Sequence, residues 1–199
     1  RDLRMSRGLG DVYKRQDLKI LNVDVLSNKL VTDNPVNRCY YCKQGVFGTI
    51  LEAAKNDGMT VILDGTNASD DADDRPGMKA LQEMKVLSPL RMCGYVKSEI
   101  RKQSKEAGLF VYNKPSYACL ATRIPTGTEI DEEKIKQVET AETFLFNLGF
   151  SDFRVRWMDN KAKIQMPESR LQALMEKREV VLEELLKIFD EVLLDLRTR

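Results

Sequence analysis

Met59-Thr60-Val61-Ile62-Leu63 is a short apolar run that stops at Asp64-Gly65-Thr66-Asn67. A run of this kind marks a strand buried on both faces of a parallel sheet. Parallel strands need crossover connections, usually helices, and the surrounding sequence offers them. Leu18, Ile20, Val23 and Val25 suggest an earlier strand, followed by a polar loop through Asn34-Pro35. Cys39 to about Asp57 reads as a helix with Val46, Phe47, Ile50, Leu51 and Ala54 along one face, and Asn37 is the better capping residue at its start. Helices around Gly77–Lys85 and Lys97–Ala107 follow, the second closed by Gly108. This alternation predicts an α/β layered domain over residues 17–127.

Past Gly127 the pattern changes. A helix from Asp131 to Leu148 turns Ile135, Val138, Phe144, Leu145 and Leu148 inward and is stopped by Gly149. Two alternating strands, Phe153–Trp157 and Ala162–Met166, are joined by the turn Asp159-Asn160. A charged amphipathic helix over about Glu168–Lys187 leads to a last strand, Glu191–Leu196. The α-β-β-α-β order predicts a small α+β domain with a partly antiparallel sheet over 128–199. Residues 1–16 carry five Arg and Lys and no helical or strand period. They read as a non-native linker, which makes the first domain N-terminally truncated.

The count that most restricts the chemistry is zero histidines among 199 residues. Ser-His-Asp and Cys-His nucleophile pairs within one chain, HExxH zinc sites and a His proton shuttle are excluded. Lys and Arg number 32 against 31 Asp and Glu, so no global charge draws the chain to nucleic acid or membrane. No apolar run approaches the ~18 residues of a membrane-spanning helix. The expected setting is cytoplasmic, where four cysteines point to metal, redox or thiol chemistry.

Three constellations carry candidate chemistry. Cys39-Tyr40-Tyr41-Cys42 places two sulfurs within reach of one metal or of each other at a helix start, which favours thiolates. A structural zinc site would need Cys93 and Cys119, or a carboxylate, to complete it. Cys119 lies on a loop punctuated by Pro115 and Pro125, and Arg123 nearby would depress its pKa, as a nucleophile or soft-metal ligand requires. The alternative is a small buried hydrophobe, the expected role of Cys93. Asp64-Gly65-Thr66-Asn67, with Asp70, Asp71, Asp73, Asp74 and Arg75, sits where α/β sheets place ligands. Gly65 allows close backbone approach, Thr66 and Asn67 offer hydrogen bonds, and one carboxylate could hold Mg²⁺ on a nucleotide; the same aspartates also suit a solvated loop. Finally, Arg154 and Arg156 share one strand face, with Phe153, Val155 and Trp157 on the other. With Lys161 and Lys163 on the partner strand, they suit a phosphate or simply an outer sheet face.

Together, the run DGTNASDDADDRPG, the segment KSEIRKQSKEAGL, the loop KPSYACLATRIPTG and the strand FRVRW resemble LarE-type ATP-dependent sulfur transferases. These belong to the PP-loop ATP-pyrophosphatase superfamily, and the resemblance covers about residues 17–199. It implies a PP-loop (adenine nucleotide alpha hydrolase-like) domain followed by the small α+β domain. It implies adenylation of a carboxylate of pyridinium-3,5-biscarboxylic acid mononucleotide, then replacement of its oxygen by sulfur, in nickel-pincer cofactor biosynthesis for lactate racemase maturation. ATP with Mg²⁺ is the implied cosubstrate. Cys119 matches the sulfur-donating position, and Cys39, Cys42 and Cys119 match members that hold a 4Fe-4S cluster through three cysteines. Thr122, Arg123, Arg154 and Arg156 match the pocket for the substrate phosphate, while Gly65, Thr66, Asn67, Asp71 and Arg75 fall on the nucleotide side. Homo-oligomers are the family's habit, and no nucleic-acid partner is expected.

One departure bears on function. The family's SGGxDS loop, whose backbone N–H groups cradle pyrophosphate, does not occur in this sequence. Residues 17–199 are therefore expected to bind ATP weakly. The competing readings are another PP-loop enzyme such as a tRNA thiolase, and a non-enzymatic module whose cysteines hold zinc.

Overall fold

The computed structural model describes residues 19–70, 76–114 and 117–197. Helix α1 (Lys29–Thr32) is capped by the Asn28 side chain and leads through Asn34 into the long helix α2 (Arg38–Asn56). Asn37 occupies the capping position of α2, but its side chain donates to the Tyr41 hydroxyl (3.2 Å) instead of closing the helix end. Helix α3 (Pro76–Glu83) packs on α2. Gly77 makes this approach feasible, because a Cβ there would stand 3.0 Å from Lys43 Cδ and 3.4 Å from the Cys39 carbonyl oxygen. Short α4 (Pro89–Met92) and the charged α5 (Lys97–Glu106) complete this half. Its buried apolar cluster is small: Met78, Leu81 and Val86, backed by Phe47, Ile62 and Met84.

Neither strand expected in this half forms as such. Leu18 lies outside the described residues. Residues 19 to 25 form no ladder, and the chain bends after Asp24, the carboxylate accepting from Leu26 N (3.1 Å) and Ser27 N (3.2 Å). Such an Asx turn competes directly with strand pairing. The 59–63 run is extended but reduces to one parallel bridge, Leu63 with Leu87. Met59, Val61 and Leu63 stay exposed, so the two covered faces that such a run requires are not supplied by the described residues.

The second half follows its pattern closely. Helix α6 (Glu132–Asn147) starts on Asp131, whose carboxylate accepts from Lys134 N (2.7 Å). It ends at Gly149, whose positive φ of 93° lets the chain turn back. Strands β1 (Arg154–Met158) and β2 (Lys161–Gln165) form an antiparallel hairpin, with Asp159 and Asn160 both in the left-handed region, as a tight two-residue turn demands. The expected single helix over 168–187 is instead a 3₁₀ turn (Glu168–Arg170), α7 (Leu171–Glu176) and α8 (Arg178–Leu185). The break falls at Lys177, whose backbone leaves helical values and whose ammonium donates to the Leu148 carbonyl (2.8 Å) at the end of α6. A cation there complements the helix dipole. Strand β3 (Glu191–Leu194), shorter than expected, lies parallel to β2, giving the order β1-β2-β3. One sheet face is buried: Phe153, Val155, Ala162, Ile164 and Met166 pack with Ala141 and Leu145 of α6 and with Leu174, Val181 and Leu185. Among the described residues no helix is long and apolar enough to cross a membrane.

Candidate functional site

The polar face of β1 meets a 3₁₀ turn, Leu120–Arg123, held between that strand and α6. Cys119 stands at the head of this turn, and its thiol is free and exposed, so the buried-hydrophobe alternative does not apply. The turn is closed locally by the Thr122 hydroxyl donating to the Cys119 carbonyl (2.7 Å). Arg156 fixes it from the sheet, with Nη1 donating to Thr122 O (2.8 Å) and Nε to Gln165 Oε1 (2.5 Å).

Beneath the turn lies a buried ion pair. Arg123 is 1% exposed and donates through Nε (2.7 Å) and Nη2 (3.2 Å) to the two carboxylate oxygens of Glu142, itself 2% exposed. Glu142 also accepts from the Tyr117 hydroxyl and from Val155 N (3.0 Å). Tyr117 is flanked by Arg123 and Arg154, whose guanidinium carbons lie 5.1 and 5.0 Å from its ring centre. The family resemblance matches Arg123 and Arg154 to a pocket for the substrate phosphate; in the structure Arg123 is turned onto Glu142, and Arg154, 4% exposed, donates to Phe153 O (2.6 Å) and stacks on Tyr117. Arg156 keeps partial exposure. On the partner strand, Lys163 pairs with Asp195 (2.9 Å) and Lys161 with Glu191 (2.8 Å). Asp195 is held well below the usual carboxylate range by the Lys163 and Gln165 hydrogen bonds. Glu142 was missed by sequence reasoning, although a signal existed. It lies four residues after Val138 and three before Leu145, both buried, so its carboxylate falls on the inward stripe of α6.

The cysteine-bearing start of α2 faces this turn. Arg38 Nη1 donates to Ala121 O (3.1 Å), which ties Cys39 and Cys42 to the neighbourhood of Cys119. Cys39 is exposed and Cys42 half-buried. Burial pushes the Cys42 thiol up, and the neighbouring Cys119 and Cys39 add to this, while Arg38 and Lys43 oppose it. Three free thiols suit a soft metal in kind. As placed, however, no three donors among the described residues are gathered to the reach of one ion. Cys93 is exposed, not buried as expected, and lines a separate cavity of about 450 Å³ with Tyr95, Glu99 and Lys102.

Near Lys43 of α2, Asp64 anchors the Asp-Gly-Thr-Asn turn. Its carboxylate accepts from Thr66 N (3.1 Å), Thr66 Oγ1 (2.5 Å) and Ser88 Oγ (2.6 Å). Asn67 donates to Asp70 through both backbone and side chain (3.2 and 3.0 Å), and space beside Gly65 is open. Asp71, Asp73, Asp74 and Arg75 lie outside the described residues. Burial alone would raise the Asp64 carboxyl, but the hydrogen bonds from Ser88 and Thr66, with Lys43 nearby, hold it below its ordinary value. A depressed carboxylate adds stability above its unfolded pKa and loses it as pH falls through the folded one. The stability lead of the native chain over Asp64→Asn should therefore be full near neutrality and begin to shrink only as pH falls below the ordinary carboxyl value of 3.8. Urea midpoints of both proteins between about pH 7 and pH 3 check this.

No family model matches the chain. It is 36% identical over 171 residues, 86% of its length, to an uncharacterised protein of Synechocystis. It is 34% identical over 149 residues, 75% of its length, to pyridinium-3,5-bisthiocarboxylic acid mononucleotide synthase of Lactiplantibacillus plantarum. The similarity supports a LarE-like family. An uncharacterised protein of Methanocaldococcus jannaschii is 32% identical to this chain over 161 residues, 81% of its length. The aligned regions cover 63%, 54% and 63% of these three relatives, so the chain spans less than two thirds of each.

Proposed function

We propose that this chain delivers sulfur in an ATP-dependent transferase that converts pyridinium-3,5-biscarboxylic acid mononucleotide to its thiocarboxylic form for nickel-pincer cofactor biosynthesis. The observation that carries the reading is the similarity to the Lactiplantibacillus synthase over three quarters of the chain. The exposed Cys119 thiol, on a turn backed by the Arg123–Glu142 pair, supports it.

In this reading, adenylation by ATP with Mg²⁺ first converts a substrate carboxylate to an acyl adenylate. The Cys119 thiolate attacks the acyl carbon and AMP leaves, giving a thioester. Loss of the Cys119 α-proton to a base then breaks the Cβ–S bond, releasing the thiocarboxylate and leaving dehydroalanine. No electrons are gained or lost, and AMP is a good enough leaving group that no histidine is required. Arg156, the partly exposed guanidinium of the β1 face, holds the substrate phosphate; Arg154, Arg123 and Thr122 fix the wall beside it. Gly65, Thr66 and Asn67, with Asp71 and Arg75 following, form the nucleotide side. Cys39, Cys42 and Cys119 are the residues that would hold a 4Fe-4S cluster, which would supply a transferable sulfide. Sulfur donation by the Cys119 thiol itself requires neither Cys39 nor Cys42.

The test bypasses ATP. The chain is mixed with chemically prepared acyl adenylate of the pyridinium mononucleotide, and products are read by mass spectrometry. Thiocarboxylate above the level of a thiol-blocked control is the expected result. Its absence would remove the reading.

A further inference from the structure

Asn34 is fully buried and sits in the left-handed region at φ 52°, a conformation that asparagine tolerates better than most residues. Its amide donates to Pro125 O (2.7 Å) and Thr128 O (2.9 Å), and more distantly to Ile124 O (3.5 Å). Its side-chain oxygen accepts from Arg38 Nη1, and its carbonyl accepts from Gly127 N (2.9 Å). Arg38 completes the connection by donating to Ala121 O (3.1 Å). The two residues thus join segments about ninety positions apart in sequence, one leading directly into Cys39 and the other directly out of Cys119. Sequence motifs assign neither residue a task.

We propose that Asn34 and Arg38 are positioning residues: they clasp the start of α2 to the 121–128 segment and so fix how Cys42 stands toward Cys119. A buried amide with all its groups engaged tolerates few geometries, so it sets a distance more sharply than apolar packing does. Aspartate at 34 would keep the Arg38 link yet lose both amide donors and place a charge against three carbonyls. Glycine would keep the backbone conformation and lose the clasp. The proposal rests on the proposed function only for the clasp's purpose, namely keeping the thiols in one sulfur-handling group.

The experiment uses dibromobimane, which fluoresces when it bridges two neighbouring thiols. In the full chain carrying Cys39→Ser and Cys93→Ser, the bridge must span Cys42 and Cys119. With Cys93→Ser and Cys119→Ser, it spans Cys39 and Cys42 within one helix. Asn34→Gly and Arg38→Ala should each slow the Cys42–Cys119 bridge by roughly tenfold, the effect of losing about one net hydrogen bond, and leave the Cys39–Cys42 bridge unchanged. Failure of Cys42 and Cys119 to bridge without the clasp substitutions would overturn the proposal, as would unaltered bridging in both clasp variants. Equal loss of both bridges would also overturn it, since that marks general unfolding. A chain that bridges as stated but transfers no sulfur would sink the proposed function and leave the clasp standing.

Discussion

Arg123→Met is expected to destabilise the chain by about 3–5 kcal/mol, because it leaves the Glu142 carboxylate buried without its cation. The site makes that outcome severe. Glu142 is almost fully enclosed, and the Arg123 guanidinium meets both its oxygens. The double variant Arg123→Met with Glu142→Gln should recover much of the loss. A neutral amide oxygen can still accept from Val155 N, and no unpaired charge remains. Urea midpoints of the single and double variants measure the difference. A single variant within about 0.5 kcal/mol of the native chain, the range of ordinary surface changes, would mean the pair is not closed as described.

The second large effect separates chemistry from stability. Cys119→Ala should lower sulfur transfer from the acyl adenylate by at least about a thousandfold, since removing a nucleophile removes the covalent step. Its thiol is exposed, so the unfolding free energy should move by no more than about 0.5 kcal/mol. A combined fall in activity and stability would point instead to a thiol that holds the turn together.

The local features of the second half were legible. The alternation in Phe153–Trp157 and Ala162–Met166, the Asp159-Asn160 turn, and the Asp131 and Gly149 helix signals each act within a few residues. That Arg154 and Arg156 share a strand face followed from the two-residue period. What the guanidinium group of Arg123 and the amide of Asn34 meet did not follow. Glu142 lies 19 residues from Arg123, and the Asn34 amide reaches carbonyls 90 to 94 residues away, so no local period reports either. In the first half, the 59–63 run carries a parallel-strand pattern, yet the described residues pair it only through Leu63 and Leu87. Such patterns state what a segment can bury, and the neighbours decide whether it does. Asp24 shows the opposite case, where one carboxylate bonding two nearby amides overrides an alternating apolar sequence.

In the proposed reaction the transferred sulfur is that of Cys119, and peptide mass mapping after one turnover with the acyl adenylate reads its fate. The peptide spanning Cys119 should lose the mass of one H₂S as thiocarboxylate appears, with the Cys39, Cys42 and Cys93 peptides unchanged. Thiocarboxylate formed while Cys119 stays intact would contradict it.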